Sequence, residues 1–250
     1  MLRLKRFVVF TLFVVCVSAA ISFWITGQAG ANTRVAIAAP PRAGAILETA
    51  PAAVDTAVNV TRTPEAQWLL HAAAQTGIPA RALRAYVAAA ITANEAAPRC
   101  GIGWNTLAAV GFVESGHGTY GGGSLNAAGQ ASGPIVGPSL DGDGFAAIED
   151  TDAGVLDNDP NWDHAVGPMQ FIPSTWRLAG MDGNGDGTAD PFNIDDAALT
   201  AAMYLCAHGR DLTTAQGWTD AIYSYNQSDA YIRQVRSQAT EYAAKAGTSG

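Results

Sequence analysis

One carboxylate in this chain stands where it could act as an acid. Glu114 comes at the end of an apolar helical run and is followed by Ser115 and glycines, in the stretch GFVESGHG. Leu107, Val110 and Glu114 are spaced so that they share one helix face. Burial on that face and the negative end of the helix dipole both raise the pKa of a carboxyl. The pattern indicates a general acid, although position alone fits a glutamate that faces water equally well.

Two later segments hold side chains suited to an uncharged polar ligand. The first, AVGPMQFIPSTW at 165–176, combines small residues with the amide of Gln170 and the ring of Phe171. The second is Tyr225-Asn226, which ends a predicted helix. Small residues let a ligand approach the backbone, and amides with aromatic faces suit a sugar ring. Ordinary core packing is the alternative for both segments.

An acidic loop matches half of a calcium-binding motif. In DGNGDGT, Asp182, Asn184 and Asp186 fall at positions one, three and five of an EF-hand loop, and the Thr188 carbonyl falls at position seven. Position twelve is Asn193 instead of the usual glutamate. The sequence therefore predicts a Ca²⁺ site, with a glycine-rich turn that holds no ion as the alternative.

Charge excludes one class of partner. Residues 64–250 carry 8 Lys and Arg against 20 Asp and Glu, a net charge of −12, and 13 of those acids fall within 141–196. A chain this acidic has no electrostatic basis for binding nucleic acid. An acidic run is usually a solvated loop but can also be a cation site, and the role of the 141–163 segment stays open.

The N-terminal sequence predicts export. A basic head precedes an apolar run at 7–25, so 1–31 is interpreted as a signal peptide or a membrane anchor, with membrane attachment through 7–25 if it is not cleaved. The Ala- and Pro-rich residues 32–63 are interpreted as a linker, and 64–250 as the folded domain. An exported protein meets an oxidising compartment, which favours a disulfide between Cys100 and Cys206 over two buried thiols.

The elements that must position these residues are predicted to be helices. Prolines and glycines divide 64–250 into seven helical segments, among them Ala80–Ala96, a helix beginning near Asn105 and one over 195–208. No convincing strand is predicted. The stretch 116–166 has no helical period, and a loop that long is usually functional or disordered. The fold class is mainly α.

In order along the chain, the ES-x-x-G of 114–118, the GPMQF-x-PSTW of 167–176 and the late Tyr-Asn of 225–226 resemble the lytic transglycosylases. They are most similar to the branch typified by membrane-bound lytic murein transglycosylase B, in its actinobacterial form. The resemblance implies a lysozyme-like fold with a glycan groove, and peptidoglycan as partner. It implies catalysis without a cofactor, a calcium loop closed by Asp196, and a location in the cell envelope. The catalytic residue would be Glu114, and the substrate-binding residues would be Ser115, Met169, Gln170, Phe171, Tyr225 and Asn226.

Most glycosidases need two carboxylates, whereas this family uses one. The resemblance implies cleavage of the MurNAc–GlcNAc β-1,4 bond with a 1,6-anhydro-MurNAc product. Two alternatives remain: a hydrolytic muramidase, with a second carboxylate in the acidic segment, and a non-catalytic glycan-binding module.

Overall fold

The computed structural model describes residues 50–51 and 66–247, and in these residues the fold is mainly helical, as predicted. The helices lie in the following order: α1 Ala66–Thr76, α2 Ala80–Ala96, α3 Trp104–Ser115, α4 Pro173–Ala179, α5 Ile194–Leu205, α6 Ala215–Tyr225 and α7 Asp229–Gly247. Two short strands, β1 Val136–Ser139 and β2 His164–Val166, and two 3₁₀ turns complete it. The prediction for 1–31 and most of the predicted linker, 32–63, lie outside the described residues.

Helix α3 is the centre of the core. It packs against α2 on one side and α7 on another, and α2 also packs against α5. Ten of its twelve residues are buried, and small residues such as Ala108 and Ala109 let the neighbouring helices approach closely. Because α3 is packed on nearly all sides, the position of its C-terminal end is fixed by its neighbours. The end of α3 is where Glu114 lies.

The stretch 116–166 contains structure that the sequence did not predict. β1 and β2 pair antiparallel, with Val136 opposite Val166 and Ser139 opposite His164. The prediction of no strand was wrong because strands of three and four residues show too little alternation to be detected. Glycines and prolines surround the pair and conceal it further.

A disulfide closes one end of the core. Cys100, which precedes α3, is bonded to Cys206 at the end of α5, with their Cα atoms 5.4 Å apart. The Leu212 amide also donates to the Cys100 carbonyl at 2.7 Å. The predicted pairing is confirmed, and it ties the start of the central helix to α5.

In the part of the chain that the structure describes, no helix is both long and apolar enough to cross a membrane. The predicted apolar run at 7–25 lies outside the described residues.

Candidate active site

Glu114 lies in the last turn of α3 and is 9% exposed. Burial raises the pKa of its carboxyl to about 8, against the opposing effect of a hydrogen bond from Tyr231. A carboxyl with such a pKa is protonated at neutral pH and has a proton to donate. The structure thus places this side chain in the environment that the spacing of Leu107, Val110 and Glu114 predicted.

Tyr231 is a site residue that the sequence did not reveal. It lies in the first turns of α7, is 3% exposed, and donates its hydroxyl proton to Glu114 Oε1 at 2.5 Å. A phenol in this position stabilises the carboxylate form and fixes the orientation of the carboxyl group. Its one sequence signal is its place shortly after the Tyr-Asn pair, which is insufficient because the contact joins helices far apart in the chain.

The turn after Glu114 is fixed to the second predicted segment. Gly116 ends α3 in the left-handed conformation, with φ of +59°, which explains the glycine at that position. Ser115 Oγ donates to the Pro168 carbonyl at 2.6 Å and accepts from the Gly118 amide at 2.7 Å. Ser115 is buried and joins the end of the helix to the segment that carries Gln170.

Gln170 lies beside β1 and lines a small cavity. Its backbone is left-handed, and its Nε2 donates to the Gly167 carbonyl at 3.0 Å. A Cβ on Gly137 would lie 2.8 Å from Gln170 Oε1, so the strand β1 passes directly against the amide. The small cavity is also lined by Phe171, Tyr204 and Tyr225. A larger cavity of about 400 Å³ is lined by residues of the glycine-rich 118–123 turn and of 131–136.

Two of the other predicted binding residues, Met169 and Phe171, flank Gln170 in the chain, and Tyr225 contacts both of them. The Met169 side chain is fully buried, and its carbonyl accepts a hydrogen bond from the Tyr225 hydroxyl at 2.8 Å. Phe171, 4% exposed, packs its ring against Trp176 and Tyr225. Asn226 is buried at the C-terminal cap of α6. The structure brings Met169, Phe171 and Tyr225 together, and the hydrogen bond from Ser115 to Pro168 connects their segment to the end of α3; Gln170 and Tyr225 are the more exposed members.

Several carboxylates of the acidic segment accept hydrogen bonds from backbone amides of the same loop. Asp150 accepts from three amides of residues 152–154, and Asp152 accepts from two more. Asp163 is fully buried and holds Thr151 through both its amide and its hydroxyl. Asp157 Oδ2 accepts a hydrogen bond from the His164 amide. These contacts fold an otherwise irregular loop around the β1–β2 pair.

His164 joins this segment to β1. Its Nδ1 lies 2.8 Å from the Gly137 carbonyl, and its Nε2 lies 3.2 Å from Asp159 Oδ2. Hydrogen bonds from Asn161 and His164 lower the pKa of the Asp159 carboxyl to about 2. The pKa of His164 is raised, because hydrogen bonding to Gly137 and Asp159 outweighs its partial burial.

The predicted calcium loop forms a compact turn beside α5. Asp182 accepts from the amides of Gly185, Asp186 and Gly187, so its carboxylate orders the loop. The Asn184 amide donates to Asp186 Oδ2 at 2.9 Å. The side-chain oxygens of these three residues therefore lie on one exposed turn. Oxygen atoms of this kind are the ligands that Ca²⁺ prefers.

Asp196 anchors that loop to α5. It is fully buried, its Oδ1 accepts from Gly183 and Asn184, and its Oδ2 accepts from the Asp190 amide. One lone pair of Oδ2 is left for a further partner. The neighbouring Asp195 forms an ion pair with Arg81 of α2.

Similarity to known proteins covers part of this chain. No curated protein matches the chain. In the solved structures, the Escherichia coli lytic transglycosylase Slt35 in complex with bulgecin A is similar at 14% identity, over 71% of this chain and 78% of that one, with a TM-score of 0.43. Residues 145–219 match the family described as the transglycosylase SLT domain. That range includes Gln170 and the 182–188 loop but ends before Tyr225 and does not reach back to Glu114.

Proposed function

We propose that this protein is a peptidoglycan lytic transglycosylase of the transglycosylase B-like branch. It would cleave the MurNAc–GlcNAc β-1,4 bond and leave 1,6-anhydro-MurNAc ends. The observation that carries the proposal is the buried carboxyl of Glu114, whose pKa of about 8 keeps it protonated, next to a turn that borders a cavity. The match of 145–219 to the transglycosylase SLT domain supports the same reaction class.

The first step uses the proton of Glu114. The protonated carboxyl donates to the oxygen of the glycosidic bond, the bond to the anomeric carbon breaks, and the GlcNAc-side sugar leaves as an alcohol. The N-acetyl group of the MurNAc ring stabilises the positive charge that develops at the anomeric carbon. Glu114 is then a carboxylate, and the Tyr231 hydroxyl stabilises that charge through its hydrogen bond.

The second step returns the proton. The carboxylate of Glu114 accepts the proton of the MurNAc C6 hydroxyl, and the C6 oxygen bonds to the anomeric carbon to close the 1,6-anhydro ring. Water is not consumed, and Glu114 is again protonated. Because the C6 hydroxyl is tethered to the reacting ring, its effective concentration is far above that of an external nucleophile.

The contacts of the acidic segment favour this route over hydrolysis. A muramidase would need a second carboxylate opposite Glu114 to act as a base or nucleophile. In the described part of that segment, Asp150, Asp152 and Asp163 direct their oxygens to amides and a hydroxyl of the loop itself. These hydrogen bonds support a role of the three carboxylates in folding the loop, and the proposal assigns both the acid and the base role to Glu114.

The loop at 182–188 would hold a structural Ca²⁺ ion. Asp182, Asn184, Asp186 and the Thr188 carbonyl supply oxygens from the loop, and Asp196 supplies its remaining lone pair from α5. The ion would neutralise these clustered acids and tie the loop after α4 to α5. It would take no part in the bond cleavage.

An enzyme acting on peptidoglycan works in the cell envelope. We propose that the chain is exported there, with 1–31 as its signal peptide or membrane anchor.

The test is cleavage of purified peptidoglycan by wild type and by Glu114→Gln. General acid catalysis contributes about 10²–10⁴-fold to a rate, so the Gln variant should lose at least about a hundredfold in activity while remaining folded. Glu95→Gln, an exposed carboxyl near the end of α2, is the matched control and should keep wild-type activity. A wild type that binds glycan without releasing fragments would identify a binding module instead.

A further inference from the structure

The turn that follows Glu114 is held by a buried chain of three side chains. His117 Nδ1 lies 3.2 Å from the Tyr86 hydroxyl, and His117 Nε2 lies 2.9 Å from the Tyr242 hydroxyl. Tyr86 belongs to α2 and Tyr242 to α7, and all three side chains are at most 4% exposed. The chain therefore links the two helices that flank α3 to the turn at its end.

Both ring nitrogens of His117 lie within hydrogen-bond distance of a tyrosine hydroxyl, and Tyr242 has a further side-chain hydrogen bond with Gln238. Burial lowers the pKa of His117 to about 4, so the ring is neutral at working pH, with one donor and one acceptor nitrogen. One of the two tyrosine hydroxyls can therefore donate to the unprotonated ring nitrogen, and the other can accept from the protonated one. Burial raises the pKa of Tyr242, and the charge of Glu241, the preceding residue on α7, raises it further.

The chain also contacts the backbone of α3 directly. The His117 amide donates to the Gly111 carbonyl at 2.9 Å, and its backbone is left-handed, with φ of +64°. A Cβ on Gly111 would lie 2.1 Å from the Tyr86 hydroxyl, which shows how closely that hydroxyl approaches the helix. A histidine in the left-handed region is uncommon, and such a conformation persists where the surroundings determine it.

Helix α7 contacts the end of α3 through two hydrogen bonds. Tyr231 binds Glu114, and Tyr242 binds His117. From 231 to 242 the helix makes about three turns, which returns both tyrosines to the same side of α7. A shift of α7 would therefore change both contacts, and a shift of the turn would change the contact between His117 and Tyr242 directly.

We propose that His117 is a positioning residue for Glu114. Together with Tyr86 and Tyr242, it would fix the turn after α3 so that Glu114 stays within hydrogen-bond distance of Tyr231. This role rests on the proposed function, since it concerns the geometry of the proposed general acid.

The test is a titration of Glu114 by NMR in protein labelled with ¹³C at the glutamate carboxyls, with Glu114→Gln assigning the signal. The Tyr231 hydrogen bond lowers the pKa of Glu114, so loosening it raises that pKa. Tyr242→Phe and Tyr86→Phe should each raise it by roughly half a unit or more, a fraction of what complete loss of a bond to a charged group would give. His117→Asn, which suits the left-handed backbone, should act in the same direction.

Thr106→Val is the matched control. Thr106 is also a buried hydroxyl of α3, and it accepts a hydrogen bond from Trp218 Nε1 at 3.2 Å. Loss of the Thr106 hydroxyl should lower the free energy of unfolding by about as much as Tyr242→Phe does, but it should leave the pKa of Glu114 unchanged. An unchanged pKa in Tyr242→Phe, or an equal shift in Thr106→Val, would overturn the positioning role.

The titration needs no substrate, so its outcome is separate from that of the proposed function. If wild type fails to cleave peptidoglycan while the pKa shifts as expected, the reaction is wrong and the coupling of His117 to Glu114 stands. If Glu114→Gln abolishes cleavage but Tyr242→Phe leaves the pKa unchanged, the reaction stands and the positioning role is refuted.

Discussion

Replacing Glu114 with Gln should stabilise the fold, and the gain should depend on pH. Burial raises the pKa of this carboxyl from 4.5 to about 8 in the folded protein. Between those values the folded state holds a proton that the unfolded state has lost, so stability falls as pH rises. At pH 4 both states are protonated, and the residue contributes no pH-dependent penalty.

The size of the gain follows from that shift. Each pKa unit corresponds to about 1.4 kcal/mol, so at pH 7 the wild type carries a penalty of about 3 kcal/mol that the neutral amide of Gln avoids. Glu114 is almost completely buried, so solvent screening reduces this value little. The amide oxygen of Gln can still accept the hydrogen bond from Tyr231, which keeps the packing comparable.

Urea unfolding of wild type and Glu114→Gln at pH 4, 6 and 8 measures the effect. The free energy of unfolding should be similar at pH 4, and the advantage of the Gln variant should grow at each step above it. Glu95→Gln should show no such trend. A difference between wild type and Glu114→Gln that stays constant from pH 4 to 8 would mean that Glu114 ionises near its usual pKa, which would refute the argument for a neutral acid.

Three further predictions use other contacts of the site. Tyr231→Phe should raise the pKa of Glu114 by about one to two units, because a hydrogen bond to a charged group is worth about 1.5–3 kcal/mol. The alkaline limb of the pH–rate profile should move upward by the same amount. An unmoved limb would contradict the role of Tyr231 as the hydrogen-bond donor to Glu114. Cys100→Ser should cost about 2–5 kcal/mol of unfolding free energy, a loss that reducing agent should reproduce in wild type. Excess Ca²⁺ should raise the Tm of wild type but not of Asp182→Ala, and equal melting of wild type in chelator and in calcium would count against the ion.

Much of the helical framework could be predicted because local residues determine where each helix begins and ends. The bounds Ala80–Ala96 agree with the structure, since Pro79 precedes that helix and a proline follows it closely. Gly116 marks the end of α3 by its left-handed backbone. Local spacing indicated that Glu114 shares a helix face with the core residues Leu107 and Val110, but it fitted a glutamate that faces water equally well, and the structure shows the buried alternative.

The parts that could not be predicted depend on contacts between distant segments. Tyr231 reaches Glu114 from a helix 117 residues further along the chain, and no spacing rule connects the two. The burial of Met169 and the two-sided contact of His117 likewise come from packing between helices. The folding of the acidic segment depends on which amides each carboxylate meets, and the composition of that segment does not contain this information.

The measurement that tests the central claim most directly is mass spectrometry of fragments released from peptidoglycan in water enriched in ¹⁸O. If Glu114 serves as both acid and base and the MurNAc C6 hydroxyl is the nucleophile, the fragments should end in 1,6-anhydro-MurNAc, lighter by one water than hydrolysis products, with no ¹⁸O incorporated. Fragments with reducing MurNAc ends that carry ¹⁸O would contradict the account, and would direct the search for a second carboxylate to the 141–163 segment.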